Sequence, residues 1–187
     1  MSSLKRIVIH HTGGSYRPSV HDKQCYHYLI DDVGNIIKGN FSPQANISCV
    51  DGEYAPHIKM FNTGSIGVAC CGNFNYDIKN RSNSTKYPLT QPQLESMCSV
   101  IAHLCHTFDI KVNEATVFTH YQYDNKYKYN PDIYEGKTDI TFIPYCPNLS
   151  VKNVGSYLRA KVKWYYDKYE RTHYEKKTNV EKVKRLS

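Results

Sequence analysis

The sequence lacks any apolar run of membrane-spanning length, and its N-terminus reaches the first apolar segment, residues 7–9, without the hydrophobic stretch of an export signal. The hydrophobic fraction of 40% is nevertheless ordinary for a globular core. We therefore expect a protein that is made in the cytoplasm without a membrane anchor. Such a protein reaches a target outside the cell only after its release or by non-classical export.

Cysteine occurs seven times, at positions 25, 49, 70, 71, 98, 105 and 146, without any paired spacing. An odd number of this kind excludes a complete disulfide framework. We interpret these residues as reduced thiols, most of which act as small apolar side chains.

Neither an internal repeat nor a break in composition divides the chain. Its 187 residues suffice for one domain with a substantial core, which we assign to residues 1–169, followed by a highly charged tail over residues 170–187. The net charge of +7 suits a partner that is an anionic polymer, which leaves nucleic acid, a membrane surface and an anionic cell wall open. We expect a monomer.

Short runs of β-branched and aromatic residues predict a sheet. Turn-forming residues bound each run, as is typical of strands. The runs cover residues 7–9, 26–31, 35–38, 66–71 and 115–119, with Gly34 at the turn of a hairpin between the second and the third.

Two helices and one long loop complete the predicted elements. Thr90 and Gln93 form a capping box, so a helix with one apolar face begins there. A second helix is predicted for residues 151–169, and a fraying helix or disordered tail after it. Residues 121–145 are rich in Tyr and Lys and predict a long loop, which in a compact domain is usually functional or mobile.

Three residues from distant parts of the chain are candidate metal ligands. His10 and His120 each end a predicted strand, and Cys146 opens the segment that leads to the last helix. Two neutral imidazoles and one thiolate would hold Zn²⁺ and leave a fourth position for water, which is typical of catalytic rather than structural zinc. Because the chain has nine His and seven Cys, spacing alone does not select this triplet.

Five separated blocks of sequence resemble, in order and in type, the zinc N-acetylmuramoyl-L-alanine amidases, which share a fold with phage amidase-type lysozymes and animal peptidoglycan-recognition proteins. The resemblance implies one α/β domain with a mixed central β-sheet flanked by helices on both faces. The blocks are IVIHHTG at 7–13, YHYLIDDVGNI at 26–36, NTGSIGVACCGNF at 62–74, TVFTH at 116–120 and CPN at 146–148.

The resemblance also implies roles for single residues. It makes His10, His120 and Cys146 the three ligands of one catalytic Zn²⁺, with His11 turned toward another contact or the substrate. Tyr26 matches a tyrosine that looks toward the metal, where its phenol would orient the attacking water or donate to the oxyanion on the scissile carbonyl. Without the resemblance, Tyr26 would be interpreted as a core aromatic.

The sequence departs from the family pattern near the third ligand. Compact phage members have a lysine two residues before the ligand cysteine, and animal enzymes often a threonine, whereas this chain has Pro144, which offers no donor. The segment from His120 to Cys146, which contains the long insertion 121–145, also exceeds that of the compact members. A substitute donor is expected among Thr141, Lys137, Lys128, His57 and Lys59, of which Thr141 and His57 are the catalytic candidates.

The resemblance implies hydrolysis of the amide between N-acetylmuramic acid and L-alanine in peptidoglycan, a function that suits a phage endolysin. A rival is a peptidoglycan-binding module of the same fold without turnover, which Pro144 favours and the intact ligand set disfavours. A second rival, a basic nucleic-acid-binding protein, is suggested by the charge, but no nucleic-acid-binding motif accompanies it.

Overall fold

The computed structural model describes residues 4–79 and 85–184, with side chains up to residue 172, and contains a five-stranded mixed sheet. The strand order is β3-β2-β4-β1-β5, in which β3 alone runs antiparallel to its neighbour. This architecture, with helices against the sheet, confirms the expected fold class. The elements are β1 Arg6–His11, α1 Val20–Cys25, β2 Tyr28–Ile30, β3 Ile36–Lys38, a 3₁₀ helix Pro43–Ile47, β4 Ser65–Cys70, α2 Gln91–Phe108, β5 Val117–Thr119, α3 His120–Lys126 and α4 Val151–Lys184.

One face of the sheet is dry and packs against α2 and α4. Side chains alternate between the two faces of a strand, so Ile7 and Ile9 of β1 point to this face and are no more than 1% exposed. Leu94 of α2 and Leu158 of α4 close the same core at 0% exposure. Burial of such a side chain stabilises the fold by roughly 1.5–3 kcal/mol, so this layer holds the sheet in place.

The two long helices begin and end largely as predicted. The Thr90 hydroxyl accepts from the backbone N–H of Gln93, and the Gln93 side chain accepts from the N–H of Thr90, so the capping box is confirmed. Helix α4 begins at Val151 but continues without a break past position 169 to Lys184. The domain boundary at 169 stays a prediction, and residues 185–187 of the predicted tail lie outside the described residues.

The segment 121–145 is not a loop throughout, because α3 occupies its beginning. Thr119 accepts from the N–H of Gln122 and Gln122 accepts from the N–H of Thr119, a second capping box. Thr-x-x-Gln at 119–122 is the signature that marked the start of α2, so the sequence did carry the signal. The cap makes His120 the first residue of a helix and fixes where its ring points.

All seven cysteines are free thiols, and Cys70, Cys71, Cys98 and Cys105 are buried. None of the described helices combines the length and the apolar content that crossing a membrane requires.

Candidate metal centre

A polar cleft opens on the sheet face opposite to α2 and α4. His10 reaches it from β1, because it follows Ile9 and therefore points to the other side. The cleft has a volume of about 470 Å³. It is lined by His11, Thr12, Gly13, His21, Cys25, Tyr26, Pro56, His57, Ile58, Lys59, Asn62, His120, Glu135, Gly136, Lys137, Thr138 and Asp139.

Two of the three predicted ligands meet at this cleft, together with an unpredicted carboxylate. Nδ1 of His10 lies 3.0 Å from Oδ2 of Asp139, and Nδ1 of His120 lies 3.2 Å from the same oxygen. The ligand atoms of the three residues are all within 4.8 Å of one another. All three residues are buried, at 0–6% exposure.

Hydrogen bonds determine which nitrogen of His10 is free to bind a cation. The carbonyl of Ser65 can only accept, so Nε2–H of His57 donates to it at 3.4 Å and leaves Nδ1 of His57 as an acceptor. Nε2–H of His10 donates to that Nδ1 at 3.1 Å. Burial lowers the pKa of His10 to about 4, so the ring is neutral and its Nδ1 carries a lone pair toward Asp139.

The same reasoning applies to His120. Its Nε2 lies 3.0 Å from Oε2 of Glu135, and the hydrogen bond to His120 is the main cause that lowers the pKa of Glu135. The carboxylate is therefore ionised and accepts, so Nε2 of His120 carries a proton. Burial lowers the pKa of His120, but hydrogen bonds to Asp139 and Glu135 outweigh it and raise the pKa to about 9.

Two imidazole nitrogens thus converge on an oxygen that has no proton of its own. Burial raises the pKa of Asp139, but the charge of His11 and the hydrogen bonds of His10 and His120 have the larger effect, so the pKa of Asp139 lies below its usual value. The arrangement needs positive charge between the three groups, which an added proton on His120 supplies in the absence of metal. A divalent ion can take the place of that proton, and two imidazoles with one carboxylate are a donor set that suits Zn²⁺.

Cys146, the predicted third ligand, does not join the cluster. Its sulfur lies 3.5 Å from the hydroxyl of Tyr157 on α4, and the residue packs against the dry core. It is therefore on the opposite side of the sheet from His10. Cys146 therefore does not meet His10 and His120 in the structure, whereas Asp139 joins them from a loop that returns on the cleft side.

The sequence did contain a sign of Asp139. Compact relatives have a lysine two residues before their third ligand, and Lys137-Thr138-Asp139 has this spacing. If Asp139 takes the place of the third ligand, the residue two positions before it is Lys137, and Pro144 no longer departs from the family pattern. The interval from His120 to Asp139 is also shorter than the interval from His120 to Cys146. Glu135 and Asp124 were not predicted at all, because single acidic residues in a polar segment carry no local signal.

Tyr26 and His11 lie beside the cluster. The ring of Tyr26 is 5.1 Å from that of His10, between centroids, and burial raises the pKa of the phenol well above its usual range. Nε2 of His11 lies 3.5 Å from Oδ1 of Asp139. Burial is the main cause that lowers the pKa of His11, and the nearby charge of Lys137 lowers it further.

The candidate donors fall into two groups. His57, Lys59 and Lys137 line the cleft, whereas Thr141 does not. The hydroxyl of Thr141 is 0% exposed and bonds to the hydroxyl of Tyr76 at 2.9 Å, so it is unsuited to contact a substrate. Lys128 lies over the ring of Tyr129, away from the lining residues.

A larger groove, of about 710 Å³, lies between the β2–β3 hairpin, α2 and α4. Its lining is mostly apolar and aromatic, and no group of metal-binding side chains among the described residues occurs there. The cluster of potential metal ligands therefore lies at the smaller, polar cleft and not in this groove.

Comparison with known proteins gives a family and several similar folds. No curated protein sequence matches this chain. AmiD from E. coli is 22% identical, with a TM-score of 0.46 over 63% of this chain and 48% of its own length. Drosophila PGRP-SD is 21% identical (TM-score 0.44; 65% and 72%), and the amidase LysC from Clostridium intestinale URNW is 18% identical (TM-score 0.43; 65% and 74%).

A family model provides the decisive comparison. The model described as N-acetylmuramoyl-L-alanine amidase matches residues 1–139 of the 187 residues. The matched segment includes His10, Tyr26, His120 and Asp139 and ends before Cys146. The chain therefore belongs to the N-acetylmuramoyl-L-alanine amidase family.

Proposed function

We propose that this protein is a zinc-dependent hydrolase that cleaves the amide between N-acetylmuramic acid and L-alanine in peptidoglycan. The observation that carries the proposal is the convergence of His10, His120 and Asp139, of which His120 and Asp139 line an open polar cleft. The hydrogen bonds leave a lone pair on Nδ1 of His10 and place the exchangeable proton of His120 on its Nδ1, where a metal ion would take the place of that proton.

The three residues would hold Zn²⁺ with a net charge of about +1, since two ligands are neutral and one is anionic. When bound, the ion polarises the scissile carbonyl and lowers the pKa of a coordinated water. His57 keeps the proton of His10 on Nε2, so that Nδ1 stays available as a ligand.

Tyr26 is suited to donate a hydrogen bond to the oxygen of the scissile carbonyl. Because burial raises its pKa, the phenol keeps its proton at neutral pH. A fixed donor of this kind stabilises the negative charge that develops on the oxygen as the amide carbon becomes tetrahedral. Water adds to the carbonyl carbon and the C–N bond breaks, which leaves a carboxylate on the N-acetylmuramic acid side, while the L-alanine amine takes up a proton from the added water or from solvent.

Lys137 supplies a positive charge on the rim of the cleft. Its backbone N–H donates to Oδ2 of Asp124 at 2.6 Å, so the residue is anchored while its side chain is exposed. Removal of a preorganised donor to the oxyanion typically costs about a hundred- to a thousandfold in rate. Lys137 therefore replaces Thr141 as the expected second donor.

The substrate class agrees with the overall charge. A net charge of +7 favours approach to a wall that carries anionic polymers. The role of a phage endolysin stays a prediction. Release of stem peptides from intact cells would address it.

Digestion of purified sacculi tests the proposal. We expect wild-type protein to release stem peptides with a free L-alanine amine, detected by mass spectrometry, and a zinc chelator to stop the release. Lys137→Met should slow the release by about a hundred- to a thousandfold, whereas Lys128→Met should leave it unchanged. Binding to sacculi without release of stem peptides would contradict hydrolysis and identify a binding module.

A further inference from the structure

Asp124 is a buried carboxylate to which the proposed reaction gives no role. It lies on α3, one helical turn after His120, and is 1% exposed. Its Oδ2 accepts from the backbone N–H of Glu135 at 3.2 Å and from that of Lys137 at 2.6 Å. One oxygen therefore ties down the irregular segment after α3 at two points, immediately before Asp139.

The other oxygen of Asp124 faces a metal ligand. Oδ1 is buried, has no hydrogen-bond partner, and lies 3.7 Å from Nε2 of His120. Oε2 of Glu135 lies 3.0 Å from the same nitrogen and also accepts from the backbone N–H of Lys59 at 3.1 Å, on the opposite rim of the cleft. Two carboxylates thus face the N–H of the ring whose other nitrogen faces the metal site.

We propose that Asp124 is a positioning residue of the metal centre. One oxygen holds the loop that carries Asp139 through two hydrogen bonds, and the charge of the other oxygen, 3.7 Å from Nε2 of His120, supports the orientation of the ring that the hydrogen bond to Glu135 sets. The proposal rests on the proposed function, since it takes the cluster of His10, His120 and Asp139 to be a zinc site. Carboxylates that accept from the far nitrogen of a ligating imidazole fix its tautomer and orientation and raise its basicity.

Charge explains why both carboxylates occur here. Two like charges close to one ring repel each other unless positive charge lies nearby. A divalent ion on Nδ1 of His120 supplies that charge and makes Nε2–H a stronger donor. The single side chain of Asp124 thereby positions His120 on α3 and Asp139 in the loop.

Zinc affinity of full-length Asp124→Asn tests the proposal, with Asp132→Asn as the matched control. The asparagine can keep an oxygen for the loop N–H groups, but it presents an amide N–H toward Nε2–H of His120, so the negative charge 3.7 Å from this nitrogen is replaced by a second donor. Asp132 lies in the same loop and is exposed. Zinc affinity is measured by competition with a chromophoric chelator, and ligand geometry by the visible spectrum of the Co²⁺-loaded protein.

We expect Asp124→Asn to bind zinc about ten- to a hundredfold more weakly than wild type and to change the Co²⁺ spectrum, while Asp132→Asn changes neither. Asp124→Asn that binds zinc as tightly as the control, with the wild-type spectrum, would overturn the proposal. A purely structural role would lower the unfolding temperature without changing the spectrum of the folded, Co²⁺-loaded protein, and that result would also overturn it.

If circular dichroism shows that Asp124→Asn does not fold, Glu135→Ala decides the question. Glu135 is partly exposed, so its loss should leave the fold intact and weaken zinc binding, whereas Glu135→Gln, which retains an acceptor, should restore most of the affinity. Unchanged affinity in Glu135→Ala would overturn the proposal. These measurements need no peptidoglycan, so failure of the sacculus assay would leave them interpretable.

Discussion

The two faces of the central sheet are stabilised in different ways, although the same strands build both. On the dry face, β1 places Ile7 and Ile9 against α2 and α4, where area buried from water supplies the stability. On the cleft face, β1 places Val8 and His10, and His10 lies among further buried imidazoles. Burial of apolar side chains stabilises the first face, whereas the second combines a smaller apolar cluster around Val8 with directed hydrogen bonds among the imidazoles.

The imidazoles of the cleft face form a connected set. His27 accepts from the N–H of Gly67 at 2.9 Å and donates to Oδ1 of Asn46 at 3.0 Å, and its ring packs against His57 at 5.6 Å. His57 in turn accepts from His10. We infer that a substitution on the dry face mainly changes stability, whereas one on the cleft face mainly changes metal binding and the response to pH.

The largest expected effect on zinc content and activity distinguishes a substitution of Asp139 from a substitution of Cys146. Asp139→Asn should remove the anionic ligand and reduce amidase activity by about a thousandfold or more, with loss of zinc from the protein. Cys146→Ser should retain zinc and activity, because its sulfur contacts Tyr157 on the dry side. Zinc content by elemental analysis and stem-peptide release measure both. Loss of zinc from Cys146→Ser alone would reverse the assignment.

A cavity on the dry face should change stability alone. Leu94→Ala removes a side chain that is 0% exposed and should lower the free energy of unfolding by about 2–5 kcal/mol. Urea unfolding measures the loss, and Val33→Ala, at a position 63% exposed, serves as the control with a change near zero. If folded Leu94→Ala also binds zinc more weakly, the two faces are coupled and the distinction between them fails.

Acid should destabilise the cleft face through His27. Burial lowers the pKa of His27 from 6.5 to about 4, so the folded state resists its protonation. A folded-state pKa below the unfolded value gives stability that is complete above pH 6.5 and is lost as the pH falls toward 4.

The contribution of His27 is at most about 3 kcal/mol, from roughly 1.4 kcal/mol per pKa unit. His27→Gln cannot gain this charge, so between about pH 7 and pH 4.5 it should lose less stability than wild type. Urea unfolding of both proteins at the two pH values provides the comparison. An equal loss in both would show that His27 is not responsible, and part of the wild-type loss should persist because burial also lowers the pKa of His10 to about 4.

The smallest expected effect concerns Gly67, which lies on the cleft face of β4. A Cβ at this position would lie 2.6 Å from Cγ of His57, so Gly67→Ala must displace the ring that supports His10. We expect a loss of about 1–3 kcal/mol in unfolding free energy and weaker zinc binding. In the control Gly14→Ala the nearest atom lies at 3.6 Å, an ordinary contact. Normal zinc affinity in Gly67→Ala would show that His57 does not support His10.

Much of this arrangement could be predicted from local sequence patterns. The strands, the hairpin at Gly34 and the capping box of α2 depend on neighbouring residues, and the structure has them. The start of α3 was also predictable, since Thr119 and Gln122 repeat the same pattern. The prediction of a loop was wrong for residues 121–126, which lie in α3. It followed the composition of the whole segment and not the capping box at its start.

Local patterns gave two competing candidates for the third member of the cluster, Asp139 after Lys137 and Cys146 before Pro147. Cys146-Pro147-Asn148 matches the family motif in letters, but the chain places Cys146 beside α4. Asp139 lies at the cleft, after a loop segment whose Glu135 and Lys137 N–H groups donate to Asp124. Contacts between residues this far apart in the chain leave no periodicity that would decide between the two candidates.

The order of residues in β1 is enough to place Ile9 and His10 on opposite faces, because side chains alternate along any strand. Local sequence also sets where α2 and α3 begin, because a capping box satisfies backbone N–H groups within four residues. Long-range folding, in contrast, selects a carboxylate rather than a thiolate as the third member of the cluster. That choice depends on the path of a long loop across the sheet edge, which is set by distant hydrogen bonds and by the burial of Asp124 and His120.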